Sequence, residues 1–333
     1  MIWLVIFTTP RAVMADPLFQ DDSVLKVEIT APLSTLVRER SETEYLPGAF
    51  SYTEADGRPV ELDVQLRARG NFRHRNCDFP PVTLNFRRPQ VEGTLFDQQN
   101  KLKLVGHCKI TRRYERAVLR EYLAYRLLNE LTELSYRVRL LQITWVDSEE
   151  RRGRMVRNAF LIEHRNRLGV RLGMKEQELA RTEVGALQPD HLNIASMYQY
   201  LIGNVDFSPI AGSNNECCHN YTLFGNGSDP MVAIPYDFDL AGIVNAPYQQ
   251  TDEARGVKRV GQRVYRGYCA NNDHVGHSIA AFQEARDTLF ARVDELEQLE
   301  PSIRRVFADY MEGFYEVISD PKQVEKKILG SCR

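Results

Sequence analysis

The chain has 333 residues, with 43 Lys plus Arg against 45 Asp plus Glu, 43% hydrophobic residues and six cysteines. A formal charge of −2 lacks the basic excess of a nucleic-acid-binding domain, and no apolar run reaches the roughly 18 residues of a membrane span. This hydrophobicity excludes a disordered chain and supplies a core for one large domain or two lobes.

At the amino terminus, Ile2-Trp3-Leu4-Val5-Ile6-Phe7 is apolar, and Ala12-Val13-Met14-Ala15 precedes Asp16 as small residues precede a signal-peptidase cut. Residues 1–15 are therefore expected to be a signal peptide and the protein to be exported, periplasmic or extracellular. All six cysteines lie beyond that cut, an even number that favours disulfides in such a compartment. Cys217 and Cys218 are adjacent, so each is expected to reach a different partner.

Residues 60–67 alternate strictly between apolar and polar, which predicts a half-buried strand running into a turn at Gly70-Asn71. Further strands are predicted over 82–86, 101–105, 138–146 and 159–163, and an amphipathic helix over 116–131. Beyond Gly173 the chain reads as a polar loop, a helix over 191–202, a hairpin of strands 220–224 and 231–236 around a Gly-Asn-Gly turn, then helices over 278–299 and 303–318 and a short last one. The expected class is α+β: an antiparallel sheet with one main helix in residues 16–165, and a mostly helical half with a hairpin in 166–333.

Two segments set carboxylates directly after apolar elements, where a rigid scaffold projects an acid into a cleft. They are Gly203-Asn204-Val205-Asp206, leading to His219-Asn220, and Pro235-Tyr236-Asp237-Phe238-Asp239. Phosphoryl transfer from a nucleotide needs this inventory: an acid to take or orient the acceptor proton, and oxygen donors for a hard cation. Asp206 fits the base, Asp237 and Asn220 fit Mg²⁺ ligands, and Asp239 fits a second ligand or an orienter of Asp237.

These motifs resemble the catalytic segment of HipA-type kinases. Together with Arg67-Ala68-Arg69-Gly70-Asn71, Leu119-Arg120 and Phe160-Leu161-Ile162-Glu163, in that order over residues 60–245, the chain resembles the CotH (spore-coat protein H) kinase-like family. Cys217-Cys218-His219-Asn220 and Arg263-Val264-Tyr265-Arg266-Gly267-Tyr268-Cys269 are also similar to segments of a group of exported bacterial proteins of unassigned function. The resemblance implies a bilobal protein-kinase-like fold with Mg²⁺ and ATP between the lobes. Arg69, Gly70 and Asn71 would then cover the phosphates, and Glu163 would lie beside adenine. A strand lysine paired to a helix glutamate is also implied; Lys103 or Lys101, on one face of a strand, is expected to clamp phosphate with Glu121 as partner. Asp206 and Asn220 stand fourteen positions apart, where the ordinary kinase loop has five, so the segment between them must loop out.

The leading expectation is a phosphotransferase using Mg-ATP on an unidentified protein or small-molecule acceptor. The alternatives are an exported kinase-like binding protein without catalysis, which would tolerate loss of Asp206, and a metal-dependent phosphoesterase using the same acids.

Overall fold

Strand alternation and one parallel pairing decide the architecture seen in a computed structural model, which describes residues 16–213, 216–227 and 229–333. The expected signal peptide, residues 1–15, lies outside the described residues. In chain order the first elements are β1 (Leu25–Ala31), α1 (Leu33–Glu39), β2 (Leu46–Thr53), β3 (Pro59–Ala68), α2 (Phe72–Asn76), β4 (Val82–Phe86), α3 (Arg88–Val91) and β5 (Lys101–Val105). They are followed by α4 (Arg112–Leu131), β6 (Val138–Asp147) and β7 (Met155–Ile162). Seven strands close into a barrel in the order β1-β2-β3-β4-β5-β7-β6. Six of its seven seams are antiparallel; the closing seam, β1 with β6, is parallel from Leu25 opposite Leu141 to Ala31 opposite Asp147.

This corrects the expected protein-kinase-like bilobal fold with an antiparallel amino-terminal sheet. The deciding element is β1, in a stretch for which the sequence pattern had suggested no strand. By lying parallel to β6 it joins the two edges that an open sheet would have left. Among the described residues the chain is a closed mixed barrel with nine helices and a small three-stranded sheet.

The barrel interior is filled by alternate residues of its strands, with Phe50, Phe86 and Phe96 meeting at centroid distances of 5.0–5.3 Å and Trp145 fully buried. The alternation sends Leu102 and Leu104 of β5 inward and leaves Lys101 and Lys103 outside. β7 is buried on both faces near its end: Ala159 and Leu161 face the barrel, while Phe160 and Ile162 face α4. That is why 159–162 reads as a continuous apolar run.

The remaining elements are α5 (Arg165–Leu172), β8 (Lys175–Glu176), α6 (Pro189–Ile202), β9 (Tyr221–Gly225), β10 (Val232–Pro235), α7 (Val275–Asp294), α8 (Pro301–Ile318) and α9 (Pro321–Lys327). β9 and β10 pair antiparallel, with β8 on the other edge of β9. A second core joins α4, α6, α7 and α8 to the outer face of β7. No described helix is long and apolar enough to cross a membrane.

All six cysteines pair at disulfide distance: Cys77 with Cys108, Cys269 with Cys332, and Cys217 with Cys218. The last pair corrects the expectation that these neighbours reach elsewhere. The other four cysteines are committed to each other, and the loop holding Cys217 and Cys218 folds back on itself through a bridge of Ser208 with His219.

Candidate functional site

The outer face of the barrel meets the ends of α6 and β10 at a cavity of about 320 Å³. Arg69, Gly70, Asn71, Lys103, Glu121, Asp206, Asn220, Asp237 and Asp239 all line it, so nine of the eleven expected site residues converge. They come from six separate stretches of chain.

On the barrel side, β3 ends at Ala68 and the chain turns through Gly70, whose φ of 90° is the left-handed region that glycine occupies freely. The Arg69 guanidinium donates to the Val82 and Leu104 carbonyls, each at 3.3 Å, which fixes it across the ends of β4 and β5. Lys103 reaches the same space from β5 with its ammonium 5.1 Å from the Tyr236 ring centroid. Burial and then Arg69 push this lysine down to about 8.

The expected pairing of Lys103 or Lys101 with Glu121 is not formed. Glu121, buried on α4, takes a hydrogen bond from Arg73 of α2 at 3.3 Å, and Arg73 also donates to the Gly106 carbonyl at 2.7 Å. An arginine has five donors in a fixed fork and serves both partners at once. Burial raises the Glu121 carboxyl, with Arg73 opposing. Arg73 escaped the sequence reading because it sits in a run of basic residues indistinguishable from a solvated loop.

On the helical side, α6 stops at Gly203 with φ 67°, and Asn204 Oδ1 accepts from the Asp206 amide at 3.0 Å. The turn thus holds Asp206, whose Oδ1 bonds His219 Nε2 at 2.8 Å and whose Oδ2 accepts from Asn220 Nδ2 at 3.2 Å. Arg255 lies 3.9 Å away. Burial alone would raise Asp206, but His219, Arg255 and Asn220 outweigh it and hold the carboxyl below its ordinary value; the Asp206 bond raises His219 in return. The fourteen-residue spacing of Asp206 and Asn220 is therefore bridged by the folded-back loop.

Asp237 follows β10 with φ 63°, its amide donating to the buried Tyr125 hydroxyl at 2.7 Å. Its carboxylate is exposed to the cavity and takes no hydrogen bond from a described residue. Two residues on, Asp239 accepts from the Tyr248 hydroxyl at 2.9 Å. Burial and then the charge of Asp237 push Asp239 up to about 7.

Lys101 and Glu163 lie apart from this group, in an adjoining cavity of about 380 Å³ that shares Lys103, Tyr125, Ile162 and Tyr236 with the first. Glu163 is not a free hydrogen-bonding group there. It takes two bonds from Arg171, at 3.0 and 2.9 Å, and one from the Arg137 amide at 3.1 Å. A buried carboxylate must be paired in this way, so its role is to tie α5 to the barrel. The Arg263–Tyr268 segment also lies away from the cavity: Arg263 donates to the Leu201 carbonyl at 3.1 Å and stacks on Tyr310.

No family model matches the chain, and no curated protein matches it at a significant level.

Proposed function

We propose that this protein is an exported phosphotransferase that moves the γ-phosphoryl group of ATP to a hydroxyl, with Mg²⁺ as its cation. The observation that carries this reading is one cavity lined by three guanidinium or ammonium groups, Arg69, Arg73 and Lys103, and by the acids Asp206, Asp237 and Asp239. A triphosphate with its cation needs both signs of charge at once.

Among the described residues no three His, Cys, Asp or Glu side chains enclose a metal by themselves. Mg²⁺ does not require such a cage, because it is commonly held by one or two carboxylates together with phosphate oxygens and water. Asp237 fits, since its carboxylate is unpartnered. Asp239 fits too: burial and then the charge of Asp237 raise its carboxyl, and a cation between the two acids would offset both. Asn220 spends its amide nitrogen on Asp206 and keeps its oxygen for the site. When bound, the ion would neutralise charge on the transferred phosphoryl group.

The chain's own groups do the rest. Arg69 and Lys103 draw in the polyphosphate. Asp206, ionised and fixed from both sides by His219 and Asn220, orients an acceptor hydroxyl and takes its proton as the bond to phosphorus forms. Export is in keeping with three cysteine pairs.

Mg-ATP should raise the melting temperature of the protein, and Asp237→Asn should abolish that shift. Asp206→Asn should keep the shift yet cut transfer to any acceptor by at least about a hundredfold. Phosphate release without acceptor would identify a phosphoesterase instead. Absence of both heat and thermal shift with Mg-ATP would leave a binding protein.

A further inference from the structure

A second cavity, of about 260 Å³, adjoins the first and shares Phe72, Asp206 and Leu240 with it. Asp206 therefore stands where the two spaces meet. The second space differs in chemistry from the first. Its polar wall joins neutral groups, the amides of Gln249, Gln250 and Gln262 and the hydroxyl of Thr251, to the carboxylates of Asp206 and Asp252. Its one cation, Arg255, is already bonded to Asp252 and lies 3.9 Å from Asp206. Its apolar wall carries the Phe72 ring, 46% exposed, with its centroid 5.5 Å from that of Tyr248.

Resting on the phosphotransfer reading above, we propose that this second cavity is the acceptor site and that the acceptor is a neutral polyhydroxyl compound of monosaccharide size. The Gln250 amide, which makes no hydrogen bond to a described residue, offers both a donor and an acceptor, and the buried Gln249 Oε1 is an acceptor without a partner. That combination matches hydroxyls, which are donor and acceptor themselves. Gln262 is spent on the Lys258 amide and the Gly256 carbonyl, and Gln249 Nε2 on the Leu240 carbonyl. An aromatic shelf suits the C–H face of a sugar ring. An anionic acceptor, such as a sugar phosphate, would meet Asp206 and Asp252 with no free cation among the described lining residues. The volume lies just below the roughly 300–1,000 Å³ usual for small-molecule pockets, which favours a single ring over a peptide segment. In the reaction, one acceptor hydroxyl forms the new O–P bond as the bond between the γ-phosphorus and the β-bridging oxygen breaks. The hydroxyl proton passes to Asp206, and ADP leaves.

The test uses the full chain with glucose, mannose, galactose, N-acetylglucosamine, ribose and myo-inositol. Binding is read by saturation-transfer NMR and transfer by label moved from γ-labelled ATP with Mg²⁺. At least one of these should bind and accept label. The double variant Gln250→Leu/Thr251→Val, both positions exposed, should weaken that binding by about fivefold or more, in line with lost hydrogen bonds, while leaving the Mg-ATP thermal shift unchanged. The proposal is overturned if Mg-ATP binds but no member of the panel binds or takes label. It is equally overturned if serine peptides or glucose 6-phosphate are preferred. If a neutral sugar binds but Mg-ATP does not, phosphotransfer falls and the carbohydrate site stands.

Discussion

Asp237 and Asp239 are two residues apart, one unpartnered and the other with its carboxyl pushed up to about 7. Such an arrangement costs stability in the free protein, because bringing two carboxylates together disfavours ionising both. Removing the charge of Asp237 should therefore leave the free protein as stable as before or more stable by up to about 1 kcal/mol, while destroying its response to Mg-ATP. Urea unfolding of Asp237→Asn without and with Mg-ATP measures both effects; a destabilised free variant would show that Asp237 is structural. The raised carboxyl of Asp239 also fixes a pH dependence. Its folded value lies above the unfolded one near 4, so its stability cost is absent at lower pH, grows as pH rises and is complete above about 7. Mg²⁺ binding needs the ionised form. Affinity should fall as pH drops below about 7, by at most tenfold per unit, with proton release that calorimetry in buffers of different ionisation heat can count. A pH-independent affinity between 6 and 8 would remove Asp239 from the ligand set.

At the scale of elements, the acids are useful only because turns hold them. α6 ends at Gly203 with φ 67°, and a side chain there would fall against the Tyr310 hydroxyl. Gly203→Ala should cost about 1–3 kcal/mol and, by shifting the turn through Asn204, lower transfer more than it lowers nucleotide binding. Equal losses in both, or none, would show that the turn does not position Asp206. These local devices were largely readable in the sequence. The strands over 82–86 and 101–105 have the expected bounds, and α4, α6 and the β9–β10 hairpin differ from expectation only by a few terminal residues. Acids directly following a helix or strand end were readable for the same reason: the period of the apolar pattern stops there. The Arg73–Glu121 pair was not readable, since nothing local distinguishes Arg73 from Arg75 two residues on. Nor was the Cys217–Cys218 pairing, which depends on how the whole loop from Ser208 to His219 folds back.

For the whole molecule, what the sequence withheld is closure. Strand propensity shows that a segment is extended but not which strand lies beside it, and the parallel seam between β1 and β6 joins residues more than a hundred positions apart. The structure secures that seam at one end through Asp147, the last residue of β6. Its Oδ1 accepts from the Leu33 and Ser34 amides at 2.9 and 3.3 Å, and its Oδ2 from the Ser34 hydroxyl at 2.7 Å. The same carboxylate also takes the Arg151 and Arg152 amides, at 3.2 and 3.0 Å, so one buried side chain joins the start of α1, the end of β1 and the turn into β7. These bonds hold the Asp147 carboxyl below its usual range against the cost of burial. Its contribution is therefore present above the unfolded value near 4 and is lost as pH falls through the lower folded value. Asp147→Ala leaves the buried Leu33 amide and several part-buried ones without their acceptor and should cost about 2–4 kcal/mol at neutral pH, with a smaller difference from the parent as the acid range is entered. Because the seam lies away from the residues lining the charged cavity, the variant that remains folded should bind Mg-ATP as the parent does. Urea unfolding at pH 7 and pH 3, paired with the nucleotide thermal shift, tests both halves. A stability loss that does not shrink in acid would rule out the ionised carboxylate as the clasp, and a lost nucleotide response would mean that barrel closure and the site are one cooperative unit.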